Sequence, residues 1–354
     1  MAEQTLSALC KIINENGFSA SVEGSDVAVC AVNTLEDAAA GELSFLSNPK
    51  YLSAVSTTKA SAVIAKPGVE LPEGLPAIRC DDPYAAVTAA IIILHGYRKH
   101  PQWGKNERAT IDPSADIGKT PNIAGGVTIA KDVKIGDNCT IYPGCYVGEG
   151  VRIGDDCVLY PNVVIYDGSI LGDRVTIHAS SVVGEDGLGY VPLNGKWLKI
   201  PQVGRAVIGD DVEIGAHCAI DRATLGQTEI SRGTKFGNAV VIGHGAKIGP
   251  DCMFVGLIGI AGSTTVGKHV TLAGHAGITG HLDVGDNATV GANSLVIGNV
   301  APNATMFGTP AIPLDKAKRS AVVYEKLPDW VRRIKDLERA VKQLRQQLNV
   351  DAPS

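Results

Sequence analysis

Eight histidines, at positions 95, 100, 178, 217, 244, 269, 275 and 281, are the side chains of this chain best suited to move a proton near neutral pH. A lone imidazole is more often a hydrogen-bonded or exposed residue than a catalyst, so its surroundings must select it. His244, in VVIGHGAKIG, follows Ile242 by two, and Gly262 stands eighteen residues further on. If eighteen residues make one turn of a coil, the main-chain N–H of Gly262 lies one layer above the imidazole. A base beside such a donor can take a proton from an attacking amine while the donor meets the oxyanion forming on a carbonyl. That pairing suits acyl transfer. His178, His217 and His269 read as structural.

The elements that would position these groups are written in a beat of six. Isoleucine, valine or leucine occupies every sixth residue from Ile111 to Val183. The beat resumes at Ile208, Ile214 and Ile220, slips by four residues, and runs from Ile230 to Val296 with phenylalanine at 236 and 254. Neither a helix, with its period of 3.6, nor an isolated strand, with its period of two, demands a strict six. Glycine recurs directly after the beat, as at 118, 136, 243 and 249, where a tight corner leaves no room for a Cβ. The pattern predicts a parallel β-helix of three hexads per coil. Its 28 beats give between nine and ten coils.

The chain has 354 residues, with 41 glycines and 5% aromatics, in keeping with glycine corners and narrow coils. A net charge of −5 and a pI near 5.9 argue against a nucleic-acid surface. The opening MAEQTLSALCKIINENG lacks the basic flank, apolar run and cleavage site of a signal peptide, and AAVTAAIIIL is too short to span a bilayer, so the cytoplasm is the expected location. Five of the eight cysteines, 139, 145, 157, 218 and 252, fall four residues after a beat and read as packing thiols. There is no CxxC pair to suggest redox or metal chemistry.

Three parts are expected. Residues 1–105 carry no hexads and mix a helical start, the turn-rich KPGVELPEGLP and an Ala-rich helix near Tyr84 to Tyr97, which together read as an α/β domain. Residues 106–313 form the coil stack and end near FGTPAIP. The stack is interrupted by GEDGLGYVPLNGKWLKIPQVGRAV, whose Tyr190, Trp197 and Lys199 either line a site or hold the excursion against a neighbour. Residues 314–354 form a helical extension in which Trp330, Ile334, Leu337, Val341, Leu344 and Leu348 make an a/d seam that needs partner helices. Arg332, Arg333, Lys335, Arg339, Lys342 and Arg345 flank this seam. They suit either a solvated face or an acidic protein partner.

Over almost its entire length the chain resembles the UDP-3-O-acylglucosamine N-acyltransferases of lipid A biosynthesis. GELSFLSNPKY, VVGEDGLGY, KWLKIPQVGR, VEIGAHCAIDRATL and IGHGAKIG follow that family in order and spacing. The resemblance implies a left-handed coil, so that the fold class is mainly β, a left-handed parallel β-helix with an N-terminal α/β domain and a C-terminal helical extension. It implies transfer of an R-3-hydroxyacyl chain from acyl carrier protein to the 2-amino group of a UDP-3-O-acylglucosamine, within a homotrimer. The acyl group would arrive on the carrier's phosphopantetheine arm, with no metal and no other cofactor. By the same resemblance His244 is the general base and Gly262 the oxyanion donor. Phe45, Asn48 and Tyr51 grip uridine, Asn238 belongs to the substrate site, and His281 lies near the phosphate or pantetheine groups. One position departs from the family: an Asp-Asn pair is expected ahead of the catalytic histidine, and this chain reads Gly237-Asn238. Orientation of the imidazole and stabilisation of its charge then fall to water, another carboxylate or the backbone, with a lower activity or a shifted pH dependence as the expected result.

Three rival readings remain in view. Zinc-dependent carbonic anhydrases share the trimeric β-helix and would take His244, His275 and His281 as ligands, but their closing pair resembles H-x4-H, whereas five residues separate His275 from His281. A second rival keeps the acyl transfer but uses acyl coenzyme A and another UDP-amino sugar. The third is a nucleotide-binding solenoid without turnover, which Gly237 alone favours.

Overall fold

In a computed structural model, which describes residues 3–308 and 314–348, the beat residues line the inside of three flat parallel sheets of ten, ten and nine strands. Most strands are two residues long, a side chain pointing out followed by a beat residue pointing in, as in Thr128–Ile129 and Lys134–Ile135. Each strand pairs in register with the one a coil later, Ile129 with Val147 and Ile135 with Ile153, so identical positions stack at a spacing of roughly 4.8 Å. The beat positions from Ile123 onward are buried in one continuous core. Truncating one of these isoleucines to alanine costs about 2–5 kcal/mol.

The regular corners are satisfied by side chains from the next coil. Asp137, Asp155, Asp173 and Asp210 form a column in which each carboxylate accepts a main-chain N–H from the coil before, those of Lys119, Asp137, Asp155 and Asp173 in turn. The cysteines follow the same logic. Cys139, Cys145, Cys157 and Cys252 are buried, with each thiol 3.1 Å from a carbonyl fifteen residues on, and all eight cysteines are free. Burial pushes the Cys145 and Cys252 thiols up to about 11, which keeps them protonated and inert.

The chain divides into two compact units, residues 1–101 and 102–354. In the first, helices α1 (Leu6–Glu15), α2 (Leu52–Val55) and α3 (Pro83–His95) accompany a five-stranded sheet. Its order is Ala20–Glu23, Ala77–Cys80, Ala62–Ala65, Glu42–Leu46 and Ala31–Val32. The first pair is antiparallel and the others are parallel. Asp82 caps α3 by accepting the N–H groups of Tyr84 and Ala85.

In the second unit the excursion after Val183 carries an antiparallel hairpin, Tyr190–Leu193 with Lys196–Lys199. Its Leu193, Trp197 and Leu198 are exposed, and Lys199 pairs with Asp186 at 2.6 Å. The coil then resumes in register, Val183 beside Ile220. Helix α4 (Leu314–Leu348) exposes its seam residues Trp330, Ile334, Leu337, Val341 and Leu344. The expected boundary at residue 313 and the side chain of Leu348 lie outside the described residues. No helix among the described residues is long and apolar enough to cross a membrane.

Candidate active site

His244 occupies the corner that follows strand Val241–Ile242, and its slot sets it apart from most other histidines of the coil. His217, His269, His275 and His281 stand three residues after a beat, in left-handed backbone with φ of +57°, +55°, +61° and +60°. That is a turn position which histidine tolerates better than most side chains. His244 stands two after its beat, and its ring rises toward the next coil. A Cβ built on Gly262 would meet the imidazole Nε2 at 2.7 Å and the His244 carbonyl at 2.9 Å, so only glycine leaves room for the ring. The coils are tied there by Ser263 N–H donating to His244 O at 2.9 Å and His281 N–H donating to Gly262 O at 3.3 Å. The N–H of Gly262 itself donates to no group among the described residues. A half-buried imidazole thus stands against a backbone carrying an unused donor.

The floor of this corner is irregular, and two extended strands build it. Val182–Asp186 and Ala219–Arg222 run on through the position where other coils turn, pairing Glu185 with Asp221 after a bulge at Gly184. Arg222, buried, holds the bulge in place by donating to Gly184 O at 2.7 Å and to the main chain and carboxylate of Asp167. Gly187 comes so close that a Cβ there would meet His244 Cβ at 2.6 Å. Buried Gln202 secures this segment, accepting from Thr224 Oγ1 and donating to Ile200 O, both at 3.0 Å. Burial, with Glu185 alongside, pushes the Asp221 carboxyl up to about 7, against the pull of the His244 main-chain N–H. Burial also raises Glu185. The sequence reading missed Glu185, Asp221 and Arg222. The signal was present, because both breaks in the beat, after Val183 and after Ile220, fall on the two coils that precede the coil of His244.

Position 237 explains its own departure. A Cβ at Gly237 would stand 2.7 Å from Val255 O and 2.8 Å from Val255 C, so this backbone holds no aspartate there without moving. Asn238 is an exposed corner residue whose Oδ1 accepts the Ala216 N–H at 2.9 Å, leaving its amide hydrogens free for a ligand. His281 is exposed and lies at the same corner as His244, two coils on. His275 lies at a different corner, its N–H on Gly256 O, and no group of three or more metal-ligating side chains is found among the described residues.

In the first unit, Phe45 projects from strand Glu42–Leu46 half-buried, its ring 6.3 Å from that of Tyr84 in an edge arrangement. Asn48 caps the short helix Pro49–Tyr51 by accepting the Lys50 N–H, and Tyr51 is exposed. The ring neighbour of Phe45 is thus Tyr84, which the sequence reading left out.

Comparison with known proteins supplies the context. Residues 26–92 match the family model described as UDP-3-O-(3-hydroxymyristoyl) glucosamine N-acyltransferase, and residues 114–149 and 150–185 match bacterial transferase hexapeptide repeats. The UDP-3-O-acylglucosamine N-acyltransferase of Syntrophotalea carbinolica is 48% identical over 96% of this chain and 97% of its own. The protein of the same name from Geobacter sp. strain M21 is 49% identical over 94% of this chain and 95% of its own. Among solved structures, the Arabidopsis UDP-N-acetylglucosamine acyltransferase superposes with a TM-score of 0.53 at 25% identity, covering 61% of this chain and 76% of that one.

Proposed function

The chain belongs to the UDP-3-O-acylglucosamine N-acyltransferase family, and from that premise we propose that it moves an R-3-hydroxyacyl group from acyl carrier protein to the 2-amino group of UDP-3-O-(3-hydroxyacyl)glucosamine, with His244 as general base. The observation that carries the reading is the imidazole Nε2 set against Gly262, whose N–H is unused. The amine attacks the thioester carbonyl while His244 takes its proton. The oxyanion forms within reach of the Gly262 N–H, the C–S bond breaks, and the imidazolium returns the proton to the departing thiolate. An imidazole suits both transfers because it titrates near the working pH.

Phe45, Asn48 and Tyr51 are assigned to uridine, with the exposed Tyr51 ring and the half-buried Phe45 ring offering stacking faces. Asn238 and His281 present polar groups for the sugar, phosphates or pantetheine. The α4 seam is exposed in the single chain and needs partner helices, which supports assembly as a trimer. The arginines and lysines beside that seam suit an acidic carrier protein.

The test is mass-spectrometric conversion of the UDP-sugar with 3-hydroxyacyl carrier protein, in chelator, across several acyl lengths. Wild type converts the substrate, and His244→Ala lowers kcat by about 10²–10⁴-fold. Nucleotide binding without turnover by wild type at every length overturns the assignment.

A further inference from the structure

Two carboxylates placed side by side on neighbouring strands destabilise a sheet, and an arrangement the fold does not need points to a task. Glu185 and Asp221 are such a pair, in register on adjacent strands and both half-buried. Their placement follows from three local features. The bulge at Gly184 brings Glu185 opposite Asp221, the Arg222 guanidinium turns away to Asp167 and Gly184 instead of neutralising the pair, and the strand Ala219–Arg222 lies directly beneath the coil that carries His244. The charged group that acts on the Asp221 carboxylate is Glu185, which raises it, and the main-chain N–H of His244 pulls it the other way. No side chain fits at position 237, so the carboxylate that the family pattern sets there has no place on this backbone.

We propose that Asp221, coupled to Glu185, is the positioning carboxylate of His244, fixing its main chain and answering the positive charge that the imidazole acquires when it takes the proton. The proposal rests on the reading of His244 as the general base. Like charges at close range cannot both ionise cheaply, so the pair holds one proton over a range in which ordinary carboxyls have lost theirs. Consistent with this, Asp221 is raised to about 7 by burial and by Glu185. The last charge therefore appears on the pair near the pH at which a histidine becomes a competent base. Proton uptake by His244 is then met by a charge one strand away instead of by solvent.

Two measurements on the full-length protein test this. In the first, the His244 ring is followed by NMR of protein labelled at histidine Cε1, its signal identified by its loss in His244→Ala. Wild type is expected to show an inflection near the Asp221 value that disappears in Asp221→Asn and moves roughly one pH unit lower in Glu185→Gln. A His244 titration curve identical in all three proteins overturns the proposal, whether or not the protein turns over. In the second, Asp221→Asn lowers kcat about tenfold with KM for the nucleotide sugar within about twofold, and Asp221→Glu recovers part of the loss. A loss confined to KM, or one matched by a fall in melting temperature without recovery in the glutamate variant, marks the residue as structural and overturns it. Should wild type show the NMR coupling but no N-acyl transfer, the assigned reaction fails while the coupling stands.

Discussion

The corner column of Asp137, Asp155, Asp173 and Asp210 and the corner beneath His244 are built from the same coil and use carboxylates in opposite ways. In the column each aspartate accepts a main-chain N–H from the coil before, and the chain turns after every second strand residue. Below His244 the strands run through the turn, two carboxylates face each other, and the adjoining Arg222 is directed elsewhere. The regular column stabilises, whereas the irregular corner holds groups in costly protonation states and leaves the Gly262 donor unused. Departure from the repeat therefore marks the site better than any single residue type does.

The contrast can be broken at several points. The largest effect is expected from Gly262→Ala, whose Cβ must displace the His244 ring, lowering kcat by about a hundredfold. Gly259→Ala, on the preceding regular strand with nothing within 4 Å of the new Cβ, leaves turnover near wild type and stability within about 0.5 kcal/mol. Equal losses in steady-state kinetics of the two variants would erase the distinction. Gly237→Asp restores the family's residue but not its function. It costs about 1–3 kcal/mol through the clash with Val255 and gives no gain in kcat, to be checked by thermal melting beside the activity assay. A faster enzyme with an unchanged melting temperature would return the orienting role to position 237.

A smaller effect sharpens the electrostatic side. The folded-state value of Asp221, about 7, lies above its ordinary 3.8, so between those limits the native chain holds more protons than the unfolded one. Stability from this group is complete below about pH 4 and is lost as pH rises through about 7. Asp221→Asn removes that loss, and its melting temperature should exceed that of wild type by roughly 2–4 °C above neutrality, with no gain at low pH. Calorimetry at the two ends of this range decides the matter.

The coil was legible in the sequence because a beat residue is buried wherever it occurs, and from Ile111 to Val183 nothing interrupts the count. The pairing of His244 with Gly262 was legible for the same reason, since eighteen residues is one coil. What escaped was set by contacts that the count cannot see. Asp221 reads as one more corner residue until the strand is found to continue past it, and Glu185 becomes its partner only through the bulge at Gly184. Tyr84 was equally hidden, because helix and strand packing brings it to Phe45 across a separation of 39 residues. The hairpin of the excursion carries apolar residues on the surface, and the signal for its antiparallel pairing of Pro192 with Trp197 was the two-residue turn Asn194-Gly195, which the reading of the excursion passed over.

Because His244 and Gly262 sit on successive coils, the gap between them is one strand spacing, roughly 4.8 Å, marked out by main-chain hydrogen bonds. The solenoid is in that sense a ruler, and the reacting groups are read off its graduations. Insertions can lengthen an edge of it, as the excursion after Val183 does, but the marks return to register at Ile220. Acceptor, donor and chain length can then be re-selected by changing what hangs from the marks. Warming should not blur the spacing until the ruler itself melts, so inactivation and unfolding would arrive at one temperature.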